Sequence, residues 1–172
     1  AMQARAFAEN GFGVLLIDLY GCGDSSGEFG DARWDIWKQD LAAAWIWLAD
    51  RVAAPVSLWG LRLGALLALD FARSSENTIE RIILWQPVTN GQSFLTRFLR
   101  LRLVNEVLLG DAGAEKKTGT NAMRDSLRAG NPLEVAGYEL TPEMAAAIDI
   151  LRATELFVTG CPVYWLEIVA EP

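Results

Sequence analysis

Gly60 and Gly64 flank Arg62 in the segment Trp59-Gly60-Leu61-Arg62-Leu63-Gly64, with the spacing of a turn that presents one side chain for attack on a carbonyl. The apolar run Pro55-Val56-Ser57-Leu58 leads in with the length of a short strand, and Ala65–Ala72 leads out as a helix. A strand–turn–helix of form G-x-S-x-G needs its glycines where the backbone bends sharply and where helix and strand approach closely. Its serine is the nucleophile. Here the middle residue is Arg62, whose guanidinium stays protonated and cannot attack. The backbone N–H of Leu63 still follows it, in the place of a donor to a developing oxyanion.

A second polar cluster, Asp18-Leu19-Tyr20-Gly21-Cys22-Gly23-Asp24-Ser25, forms a tight glycine-containing loop after an apolar run. Cys22 is the one candidate substitute nucleophile, but the chain has no histidine to activate it, and an inert loop thiol is the better reading. Asp18 and Asp24 read as residues that fix the loop, and Ser25 and Ser26 as hydrogen-bond donors to its backbone. Cys22 and Cys161 are far apart and lack metal-ligand spacing, so neither a zinc site nor a cofactor is expected, and a reduced, cytoplasmic setting is.

These loops need strands and helices to hold them. Residues 2–10 are expected to form a helix stopped at Asn10-Gly11. Val14-Leu15-Leu16-Ile17 reads as a strand buried on both faces of a parallel sheet. From 31 to 51, Trp34, Trp37, Leu41, Trp45 and Leu48 fall on one helical face, so core packing is their default reading. Ile82-Ile83-Leu84-Trp85 and residues 163–169 are two further strands, which places Trp59, Trp85 and Trp165 in or at strands and thus in the core. The stretch 90–157 breaks the alternation and is mostly helical, with a polar break at 110–121. The expected fold is α/β, a mostly parallel sheet flanked by helices, with a core of residues 1–89 and 158–172 and a helical cap insertion at 90–157.

Size and charge narrow the function classes. The 172 residues, 52% apolar, suffice for one domain with a real core. No apolar run approaches the roughly 20 residues of a membrane span. A net charge of −7, from 15 basic and 22 acidic residues, argues against nucleic-acid binding. Phe94–Leu103 interleaves apolar residues with Arg97, Arg100 and Arg102, which suits a cap helix whose arginines reach solvent better than a membrane-surface helix.

Taken together, Asp18–Ser25, Asp40 on the following helix and the WGLRLG elbow make the chain resemble the α/β-hydrolase family. The segments "IDLYGCGDSSGEFGDARW" and "LWGLRLGALLALDFA" resemble one bacterial subgroup, the hydrolases associated with the exosortase A system and exopolysaccharide machinery. The resemblance implies a partial α/β-hydrolase fold, truncated at both ends, and a nominal hydrolase of ester or acyl bonds. It implies Gly60 and Gly64 as elbow glycines, Asp18, Gly21, Gly23 and Ser25 as the family's D-x-x-G-x-G-x-S loop, Leu63 as an oxyanion donor and Glu171 as the candidate catalytic acid. It also implies that a strand preceding the first helix is missing, so the run at 13–19 either leaves a gap beside residues 56–60 or pairs with them directly.

Two readings of Arg62 stand side by side. It is a structural arginine paired with Glu171 or Asp24, or it anchors a small anionic or acyl ligand at a helix N-terminus. The chain is accordingly a hydrolase that draws its chemistry from another group, or a non-catalytic binding or assembly protein on a hydrolase scaffold.

Overall fold

The computed structural model describes residues 2–108 and 119–168. Helix α1 (Met2–Glu9) ends where the Phe12 N–H reaches back to the Phe7 carbonyl at 3.1 Å, and the two rings meet edge to face. A single 3-10 turn (Phe29–Asp31) precedes α2 (Trp34–Ala49), which buries Trp34, Trp37 and Trp45 as the helical spacing requires. Strand β1 (Val56–Leu61) feeds α3 (Leu63–Ser74), and β2 (Ile79–Trp85) follows. Strand β5 (Val163–Leu166) completes a three-stranded sheet of order β1-β2-β5, parallel throughout. Parallel neighbours need crossover connections. Here α3 supplies the first, and residues 86–162 supply the second.

The crossover helix explains the core. Every residue of α3 from Ala65 to Ala72 is buried, because the helix lies against the sheet on one side and α2 on the other. Leu66, Ile82 and Leu84 are fully enclosed there. Burying a side chain of this size contributes roughly 1.5–3 kcal/mol. Asp70, on the same helix, is buried at 6% exposure and accepts from Trp34 Nε1 at 3.0 Å, with Lys38 and Arg73 each at 3.2 Å. Burial pushes its carboxyl up, but the hydrogen bonds from Trp34, Lys38 and Arg73 and the Lys38 charge outweigh this and hold it below the ordinary aspartate range.

Several expectations need correction. The apolar run at 13–19 forms no strand: Val14, Leu15 and Leu16 are exposed, at 40%, 37% and 69%. A strand exists through its partner's hydrogen bonds, and no described segment pairs with this one, so it does not pair directly with residues 56–60. Trp165 is 46% exposed on β5 and is not core; Trp59 and Trp85 stack on each other at 5.3 Å between centroids but are only half-buried and stand outside the core cluster.

The region 90–157 is not helical throughout. It holds α4 (Gly91–Leu108), α5 (Thr120–Arg128) and α6 (Pro142–Asp149), but also an unexpected hairpin of β3 (Leu133–Val135) and β4 (Tyr138–Leu140). Ala136 and Gly137, both at positive φ, form its two-residue turn. Leu95 and Leu99 of α4 are buried while Arg97 and Arg100 are exposed, the arrangement expected of a packed surface helix. Part of the polar break at 110–121 lies outside the described residues. Buried residues of this region join those of α2, α3 and β2 in one continuous hydrophobic cluster.

Candidate functional site

The elbow is built from backbone. Arg62 is the single residue between the end of β1 and the start of α3, at φ 52° and ψ −116°. Its N–H donates to the Trp85 carbonyl at 3.1 Å, and its own carbonyl accepts from Ala65 at 3.1 Å and Val88 at 3.0 Å. These bonds tie the turn to the C-terminal end of β2, where Leu61, Trp85 and Leu166 lie side by side across the sheet. Positive φ in a bulky non-glycine residue costs about 1–3 kcal/mol, and it persists where surroundings over-determine it. The three hydrogen bonds are that over-determination.

The two elbow glycines have different roles. A Cβ on Gly60 would come within 2.5 Å of the Gly64 carbonyl oxygen and 2.6 Å of Ala65 Cα, so Gly60 is what lets α3 press against β1. A Cβ on Gly64 would meet nothing within 4 Å. The expectation that both glycines serve close approach therefore holds for Gly60 alone.

Arg62 itself is exposed, and its side chain has no hydrogen bond or ion pair among the described residues. The proposed pairing with Asp24 is absent, and Glu171, the other named partner and candidate acid, lies outside the described residues. The N–H groups of Leu63 and Gly64, in the first turn of α3, find no acceptor among the described residues either, as the geometry of a helix start dictates. An exposed guanidinium and two amide donors without an acceptor among the described residues thus stand at the positive end of a 12-residue helix.

The loop after the unpaired run is held internally. Asp18 accepts from the Asp24 N–H at 3.0 Å through its carboxylate, and from the Ser25 hydroxyl at 3.0 Å through its carbonyl. Gly21 and Gly23 sit at φ 73° and 56°; a Cβ on Gly23 would strike the Asp18 carboxylate. Asp40 of α2 accepts from the Tyr20 N–H at 2.8 Å, and the Trp37 indole donates to the Tyr20 carbonyl at 3.0 Å, which anchors the loop to the core. Cys22 is half-buried. Burial first, then the charges of Asp18 and Asp40, push its thiol up, which disfavours the nucleophilic thiolate. No described hydrogen bond or ion pair joins this loop to Arg62.

Besides Asp70, a second buried polar centre escaped sequence reasoning. Arg124 of α5, 8% exposed, donates to Asp149 at 2.5 Å, to the Gln92 carbonyl at 2.6 Å and to the Thr96 hydroxyl at 2.8 Å, binding α4, α5 and the end of α6 together. Its partners lie 25 to 32 residues away, and no local pattern marks them. Among the described residues no helix is long and apolar enough to cross a membrane.

With this geometry described, the chain can be set beside known proteins. The family model of serine aminopeptidase S33 matches residues 1–159. No curated protein matches the chain. Among solved structures, the chain resembles Est1E of Butyrivibrio proteoclasticus, bound to ferulic acid, with a TM-score of 0.54 and 19% identity over 86% of this chain and 53% of that one. A structure from the metagenome-derived lipolytic enzymes LipS and LipT gives a TM-score of 0.60 and 19% identity, over 96% and 64%. Mouse α/β hydrolase domain-containing protein 10 gives 0.50 and 18%, over 87% and 54%. The chain thus spans between about half and two thirds of these proteins' lengths. At such identities the likeness concerns the fold, which is the parallel sheet with flanking helices described above. The chain belongs to the serine aminopeptidase S33 family of the α/β-hydrolase superfamily.

Proposed function

We propose that this chain is a hydrolase-fold protein whose elbow binds a ligand without cleaving it, with Arg62 seating the carboxylate or phosphate end of a small acyl-type molecule. The observation that supports this reading is the strained turn with an unpaired cation on it. Arg62 is held at φ 52° by backbone bonds, and its guanidinium has no partner among the described residues. The free N–H groups of Leu63 and Gly64 beside it add donors at the positive end of α3. A Ser–His–acid route is closed to the chain as given, since Arg62 carries no hydroxyl and the sequence contains no histidine. The wording of residues 17–34 and 58–72 supports membership of the bacterial exosortase-A-associated subgroup, which would place the ligand in exopolysaccharide or protein-sorting metabolism.

The test is calorimetric titration with hexanoate and with inorganic phosphate, on the wild type and on Arg62→Ala. Saturable binding that the substitution abolishes is the expected result. Equal binding by both proteins, or none by either, overturns it.

A second reading is ester or acyl hydrolysis by another group: the family match over residues 1–159 supports the hydrolysis, and the sequence resemblance offers Glu171, beyond the matched residues, as its acid. It predicts turnover of p-nitrophenyl butyrate that depends on Glu171, where the binding reading predicts none.

A further inference from the structure

We propose that a second ligand site lies in the polar groove between α4 and α5, and that it takes a neutral polyhydroxylated molecule of mono- to disaccharide size. The groove is open to solvent and has a volume of about 570 Å³, within the range of about 300–1,000 Å³ typical of small-molecule sites. Helix α5 lines it with Asn121, Arg124, Asp125 and Arg128, at positions i, i+3, i+4 and i+7, which a helix places on one face. Gln92, Ser93 and Thr96, in the first turns of α4, form the opposite wall. Every lining residue is polar. A ligand is therefore held here by hydrogen bonds and not by apolar burial.

Charge decides the class of ligand. Arg124 is neutralised by Asp149 at 2.5 Å, and Arg128 by Asp125 at 3.0 Å. Each lining charge therefore has a partner of opposite sign, and the groove offers both donors and acceptors. Hydroxyl groups suit this, because each can donate to Asp125 and accept from an amide or guanidinium. An oxyanion would meet the Asp125 carboxylate.

Arg124 is also a preorganised donor. Its Nη1 and Nη2 are committed to Asp149, Gln92 and Thr96, so its position is fixed, while its Nε has no acceptor among the described residues. The Ser93 hydroxyl and the Asn121 amide likewise have no partner among the described residues, so the structural role of Arg124 does not account for them.

The experiment is an amide ¹H–¹⁵N titration of the 172-residue chain with maltose, and in parallel with glucuronate and inorganic phosphate. Saturable shifts with maltose, confined to residues 92–96 and 121–128, are expected. Asn121→Ala and Asp125→Ala, both at exposed positions, should each weaken them about tenfold, as the loss of one good hydrogen bond does. The absence of saturable shifts with maltose overturns the proposal. So does a response to phosphate or glucuronate without one to maltose, or a maltose response that neither substitution changes.

Discussion

Replacing Gly60 by alanine would place a methyl group 2.5 Å from the Gly64 carbonyl oxygen, 2.6 Å from Ala65 Cα and 2.8 Å from the Ala65 nitrogen. All three atoms are backbone, so no side chain can swing aside, and β1 and α3 must separate along the packing that buries Ala65 to Ala72. Overpacking of this kind costs about 1–3 kcal/mol, and contact with three backbone atoms of Gly64 and Ala65 argues for the upper end. Gly64→Ala is the internal control. It enters open space in the first turn of α3, where alanine restricts the unfolded chain and favours the helix, for a gain of roughly 0.5–1 kcal/mol. At about 2–4 °C per kcal/mol for a chain of this size, Gly60→Ala should lower Tm by roughly 4–12 °C and Gly64→Ala raise it by roughly 1–4 °C. Thermal denaturation followed by circular dichroism, repeated in urea, measures both. Similar shifts of the same sign for the two variants would refute the assignment of close approach to Gly60.

Three further outcomes are expected. Asp70→Asn should cost about 1–3 kcal/mol, because Trp34, Lys38 and Arg73 lose a charged acceptor. Since the folded carboxyl titrates below the unfolded one, its stabilisation is complete above about pH 4 and is lost as pH falls through the lowered value, so the gap between wild type and variant should close in acid. Arg124→Met should cost about 3 kcal/mol by leaving Asp149 unpaired among α4, α5 and α6, read as a lower midpoint in urea. Arg62→Ser should release no p-nitrophenol from p-nitrophenyl butyrate, having a hydroxyl but no histidine base, whereas Arg62→Gly should raise Tm by a few degrees through relief of the positive φ.

The elbow was legible because its constraints are local. A bend between strand and helix, a glycine where the two press together and a helix of apolar residues all leave marks within a dozen positions, and Trp59–Ala72 carries them. The tryptophan face of α2 was legible for the same reason, as helical periodicity alone brings Trp34, Trp37 and Trp45 to one side. Pairing is another matter. Val14–Ile17 has the composition of a buried strand, but a strand's hydrogen bonds belong to its neighbour, and composition cannot supply one. The hairpin at 133–140 showed only a lone glycine at its turn, too weak a signal against the helical stretches on either side. Whether Gly60 or Gly64 bears the contact depended on the distance between two elements. That Arg124 would be buried depended on an aspartate 25 residues away and on helix packing that no short-range pattern encodes. Residue types and spacing set the turn, its charge and its missing hydroxyl; the three-dimensional packing set which strands found partners and which polar groups were enclosed, because those free energies arise between segments and not within them.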